Sequence, residues 1–307
     1  MRRTGAVLAF AIVVVAGCSD TRGNDSAADV GGTSVSRDDF EDLVQALAAN
    51  PELFGIEEDL ATGTITGDVG RDVLSALVEN VASANYLEGR GVSVTDADRQ
   101  AIIESFGAQA EGVPPRVLDL EVERRASTQA LGRLAGQSGE AKAAWDASPA
   151  EVGLLCVRHI LVESEEEASE VLTELKDGAD FAELAAERST EPAADTTGGA
   201  VEVSPEQPCI GLAEAEGGLD PVFLAAAIEA VPGTAIGPVQ TSFGWHVILA
   251  RPYDEVAVAV DPAVGQARFQ EYLNTVDVDV DPRYGRWDSA ARAVLALDEA
   301  GPGDSAP

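Results

Sequence analysis

The chain has 307 residues and only two histidines, and both stand inside one stretch that alternates strand-like and helix-like patterns, residues 156–251. The first lies in CVRHILV and the second in GPVQTSFGWHVILA. Residues 157–163 alternate apolar and polar side chains, as a half-buried strand does. Residues 164–176 and 180–188 repeat at helical spacing, with Gly178 at the corner between them. Gly198-Gly199 predicts a turn before a short strand at 200–203. Residues 221–230 read as an apolar helix, and 236–240 and 244–250 as strands. Two helices after the first strand, with antiparallel pairing of the outer two strands, predict an α+β layer.

Length and charge bound the rest. A chain of this length holds about two domains. With 54 acidic and 20 basic residues the net charge is −34, which repels nucleic acid and anionic headgroups alike. A nucleic-acid function is therefore excluded. The acidity either maintains solubility or favours basic clients. Two histidines without cysteine or aspartate at ligand spacing make no metal site, and nothing points to a cofactor.

The N-terminus carries an address. Arg2 and Arg3 precede an apolar run at 6–16 that is too short to span a bilayer. Val15-Ala16-Gly17-Cys18 resembles the lipobox of bacterial lipoproteins, with an ordinary secretory signal as the alternative. The resemblance implies a signal peptide at 1–17, cleavage before Cys18, and a diacylglyceryl group on its sulfur. The protein is then exported and lipid-anchored at the outer face of the cytoplasmic membrane. Residues 19–34 are mostly Ser, Gly, Asp and Ala, so 18–34 is expected to be the lipidated cysteine and a flexible tether. Lipidation of Cys18 leaves Cys156 and Cys209. A disulfide between them, two free thiols and a redox pair all remain open, although the absence of CxxC weighs against redox chemistry.

Residues 35–148 predict a helical domain. Ser36 with Asp39 precedes an amphipathic run, a second run starts at Val69, Thr95 with Asp98 caps a third, and a fourth continues from Leu118 toward Trp145. This layout, with VSVTDAD between two helices, resembles the N-terminal chaperone region of SurA- and PrsA-like foldases. Beyond the central stretch, residues 254–297 are expected to return to the helical domain. That return reads as a helix over 262–273, an edge strand at 276–280 and a last short helix through Val294 and Leu297; 298–307 reads as a disordered tail.

The strings CVRHILV, GADFAELAAERS, Gly198-Gly199 and GPVQTSFGWHVILA resemble the parvulin-type peptidyl-prolyl isomerase domain. The resemblance implies a four-stranded antiparallel sheet with flanking helices over 150–253. It implies that His159 and His246 hydrogen-bond across the sheet, that Thr241 joins them, and that Glu191 falls where relatives carry Asp or Cys. It places Phe223, Leu219 and Val201 on the walls of the proline pocket and Phe243 at the border of the substrate groove. Two departures stand beside that site: Gly199-Ala200-Val201-Glu202 replaces the usual Gly-Gly-Asp-Leu-Gly, and 205–218 is longer than expected and carries Cys209. The implied function is an extracytoplasmic foldase acting on X-Pro bonds of exported, unfolded polypeptides. The alternatives are a chaperone or binding lipoprotein with little isomerase activity, and an envelope scaffold.

Overall fold

A computed structural model describes residues 25–51, 67–204 and 207–297. The expected signal segment, the lipidation site Cys18 and the tail at 298–307 lie outside the described residues. The described chain opens with a hairpin, β1 (Ser26–Val30) and β2 (Thr33–Ser36), then runs through α1 (Arg37–Ala48), α2 (Gly67–Glu88), α3 (Asp96–Phe106), α4 (Pro115–Ser138), α5 (Glu140–Ala147) and the single turn α6 (Pro149–Val152). Local chemistry sets these boundaries. Thr95 and Asp98 form a reciprocal capping box at α3, and Pro115 occupies the first turn of α4, where a missing N–H costs nothing. Gly139 takes a left-handed conformation that separates α4 from α5.

The central layer follows. Its elements are β3 (Leu154–Leu155), β4 (Val157–Val162), α7 (Glu165–Lys176), α8 (Phe181–Arg188), the single turn α9 (Ala194–Thr197), β5 (Ala200–Val201), β6 (Ile210–Gly211), α10 (Leu212–Gly218), α11 (Pro221–Glu229), β7 (Ala235–Thr241) and β8 (Gly244–Ala250). The main sheet has the order β5-β4-β8-β7 and is antiparallel throughout. Period-two alternation divides its side chains. Ile160, Val162 and Val247 point to one face and pack beneath α7 and α8 with Val171, Phe181 and Leu184. Val157, Ile248 and Ala250 point to the other and pack against Phe223, Leu224 and Ala227 of α11. The two faces thus have separate cores, and the histidines belong to the α11 side.

The chain ends with α12 (Tyr253–Leu273), β9 (Val278–Val280), β10 (Arg286–Asp288) and β11 (Ala293–Leu295). Helix α12 lies along α4 at very close range. A Cβ on Gly265 would stand 2.4 Å from the Leu131 carbonyl oxygen, so only glycine permits this approach. The helix begins nine residues before Pro262, which was expected to open it. Pro262 removes the donor to the carbonyl of Val258, and that residue is 65% exposed, so the interruption falls on the solvent side.

Two further expectations are corrected. The flexible tether over 18–34 does not hold for its last residues: β1 sits between β2 and β9 in a three-stranded sheet. Ala27 and Val30 are wholly buried against Leu74, Val78 and Leu273. Small residues suffice because β9, paired through Ala28 with Val280 and Val30 with Val278, supplies the missing partners from the far end of the chain. The expected helix through Val294 and Leu297 is instead the strand β11, paired with β10 through Trp287 and Val294. Val294 N–H also donates to Ser75 Oγ at 2.8 Å, which ties this hairpin to α2.

Candidate functional site

Register places the two histidines. In the β4–β8 ladder His159 faces Ile248 and Leu161 faces His246, so the histidines are diagonal neighbours on one face. Their rings lean together, with Nδ1 to Nδ1 at 3.2 Å. The hairpin from β7 to β8 adds Thr241, whose Oγ1 lies 2.8 Å from His246 Nε2 and accepts from the Phe243 N–H at 3.1 Å. Phe223, from α11, stands edge-on to both imidazoles, at 5.4 Å from the His159 ring and 5.1 Å from that of His246. Val201 and Leu219 are partly buried in the same apolar cluster as Phe223. Phe243 is 72% exposed at the tip of the hairpin.

The hydrogen-bond chain has only two self-consistent forms while both rings are neutral. If Thr241 donates to His246 Nε2, His246 donates through Nδ1 and His159 carries its proton on Nε2. If His246 donates to Thr241, every proton shifts and His159 Nε2 becomes an acceptor. Either way one proton lies between the two Nδ1 atoms, so the rings cannot both be cationic without breaking the contact. Burial pushes the His159 pKa down. It also pushes His246 down, to about 4, with the neighbouring His159 adding to the drop while Asp220 and Glu191 oppose it. The pair is therefore neutral near pH 7.

The backbone around this pair is equally constrained. His159 N–H donates to the Gly199 carbonyl at 2.8 Å. A Cβ on Gly199 would stand 2.3 Å from the His159 carbonyl oxygen, and its φ is +77°, so the Gly198-Gly199 turn is required for β5 to lie against β4. Gly237, at φ +137° in the β7 irregularity, brings the chain past the His246 carbonyl, where a Cβ would approach to 2.7 Å.

Glu191 is exposed in the loop after α8 and makes no hydrogen bond to either ring, although it acts on His246 through space. Asp220 was not singled out from the sequence. Its Oδ1 caps α11 by accepting from the Val222 and Phe223 N–H groups at 2.8 and 3.3 Å. The only signal for it in the sequence is an aspartate before Pro221, which reads as an ordinary helix start.

The unusual residues beside the site prove to be structural ties. Cys156 and Cys209 form a disulfide. Its sulfurs pack with Trp145, Val256 and Val260, at the joint between the sheet and α12. Glu202 pairs with Arg251 at 3.0 Å, and both side chains are largely buried. Arg251 also reaches the Pro208 carbonyl and Glu255, and its own carbonyl accepts from Trp145 Nε1 at 3.0 Å. The segment leading to β6 is thereby drawn toward α12, where β6 pairs with β3 through Leu155 and Ile210.

Comparison with known proteins bears on the same stretch of chain. The family model of the rotamase, or PPIC-type PPIase, domain matches residues 159–251. Residues 159–251 are a parvulin-type peptidyl-prolyl cis–trans isomerase domain. The chain is 31% identical over 133 residues to a parvulin-like PPIase of Rickettsia bellii, covering 41% of this chain and 44% of that one. It is 36% identical over 125 residues to the foldase protein PrsA 2 of Listeria monocytogenes, covering 40% and 39%. The chain therefore spans less than half the length of these curated relatives. The crystal structure of PrsA from Bacillus subtilis aligns over 82% of this chain and 94% of that one at 19% identity, with a TM-score of 0.29.

Proposed function

We propose that the protein is a foldase of the exported compartment, which isomerises X-Pro bonds in unfolded or folding polypeptides. The observation that carries this reading is the neutral His159–His246–Thr241 chain with Phe223 set edge-on against both rings. Rotation about an X-Pro bond crosses a barrier of about 18–20 kcal/mol, and no bond is made or broken. In the twisted amide conjugation is lost, and charge drains from the carbonyl oxygen back to nitrogen. A pocket that is dry and rigid favours that less polar state. Phe223, Leu219 and Val201 form the walls for the proline ring. The histidines and Thr241 hold its floor, and their interlocked protons restrict ring rotation. Glu191 places negative potential near the substrate carbonyl, which opposes the charge-rich planar form more than the twisted one. Phe243 borders the groove.

The rest of the chain fits the same role. The signal at 1–17 directs export and is cleaved, and the lipid on Cys18 then holds the protein at the outer face of the cytoplasmic membrane. Residues 35–148, joined by the returning segment 254–297, form the client-holding unit beside the isomerase domain at 150–253. No helix among the described residues is long and apolar enough to cross a membrane.

A second reading, a chaperone with little turnover, draws on one observation: Glu191 is exposed and bonded to neither histidine. Two assays on the purified chain separate them. A foldase accelerates the proline-limited refolding of a test protein, and His159→Ala reduces that rate. If refolding stays at its spontaneous rate while client aggregation is still suppressed, and His159→Ala leaves that suppression intact, the chaperone reading stands instead.

A further inference from the structure

Two carboxylates act on the histidine pair of the proline site. Asp220 is fixed by its two cap hydrogen bonds at the start of the helix that carries the pocket wall Phe223. Glu191 follows Thr190, whose N–H and hydroxyl both reach the Leu161 carbonyl, at 2.8 and 3.2 Å. Leu161 in turn pairs with His246 across the sheet. Both carboxylates act on His246, and among the described residues no cation does. Neither enters an ion pair among the described residues, because arginines of the same domain are committed elsewhere. Arg158 and Arg251 hold Glu255 and Glu202, and Arg188 holds Glu170 and Glu174.

Exposed apolar side chains stand on the elements that carry the site. Phe243 is 72% exposed and Val222, next to Phe223, is 53% exposed. A long basic side chain matches this combination: its methylene stem covers an apolar rim while its charged head reaches a carboxylate. An exposed aromatic face attracts the same cation. An acidic or phosphorylated residue in that place meets two like charges.

We propose that the site selects Xaa-Pro segments with lysine or arginine beside the proline, and that Asp220 and Glu191 are the specificity-determining residues. The proposal rests on the proline-site reading above. It assigns a substrate class and gives the acidic rim a function distinct from solubility.

The test uses the full chain and a peptide series, Ala-Xaa-Pro-Phe with Xaa as Lys, Arg, Ala, Glu or phosphoserine. Exchange NMR reads turnover and titration of the same peptides reads binding. At low ionic strength, kcat/KM for the Lys and Arg peptides exceeds that for Glu by about fivefold, the scale of exposed charge contacts that change sign. The ratio shrinks toward one in concentrated salt on the wild-type protein, which needs no variant to fold. It also shrinks in Glu191→Gln and in Asp220→Asn, where asparagine retains the helix cap. Turnover that is indifferent to Xaa, or that favours Glu, overturns the proposal and leaves the isomerase reading intact. Basic peptides bound selectively without turnover overturn the isomerase reading and keep the specificity. Neither binding nor turnover overturns both.

Discussion

His246 is 95% buried with both ring nitrogens engaged, and its titration is a property of the folded state. Its pKa falls from the ordinary 6.5 to about 4, chiefly through burial, then through His159, against the opposing pull of Asp220 and Glu191. An unfolded chain takes up this proton below about pH 6.5, and the folded chain only near 4. In that window the unfolded state binds more protons, so stability falls as pH falls. The contribution is fully present above the ordinary value and amounts to about 3 kcal/mol between the two limits. Urea midpoints at pH 7, 5.5 and 4.5 should therefore drop more steeply for wild type than for His246→Gln. Parallel slopes would contradict a neutral, buried His246. The histidines and Thr241 were legible because each lies in a distinctive string on a strand. Asp220 was not, because a capping aspartate before proline has the same sequence signature wherever it occurs.

At the scale of elements, strands and helices with a period of their own could be read from the sequence: β4 and β8 emerge with ends within one residue of expectation. The elements that were missed depend on distant partners. β1 consists of SAADV, which looks like linker until β9 pairs with it. Val294 and Leu297 mimic helical spacing over too short a span to exclude a strand, and β10 decides the matter by pairing. If the hairpin is structural, Val30→Asp, which places a charge at a wholly buried position, costs several kcal/mol in chemical denaturation. A tether would tolerate the substitution, with the midpoint unchanged.

Across the whole molecule, the isomerase domain is inserted between a helical region and its own returning segment. The joint is built from a disulfide and a buried arginine cluster. Cys156–Cys209 closes a loop of sequence separation 53, and the Arg251 cluster binds strand, insertion and α12 together. A loop of that length contributes about 4 kcal/mol in the chain-entropy model. Reduction, or Cys156→Ser with Cys209→Ser, should lower the denaturation midpoint accordingly, and an unchanged midpoint would deny the tie a role in stability. These ties hold the domain to its neighbour and leave the His159–His246–Thr241 chain and Phe223 in contact. Whether that arrangement turns over substrate is answered most directly by exchange NMR on an Ala-Lys-Pro-Phe peptide with catalytic amounts of the purified chain. The account predicts cis–trans exchange well above the spontaneous rate, reduced at least tenfold by Phe223→Ala in protein that remains folded. Exchange at the spontaneous rate, with wild-type protein folded, would contradict it.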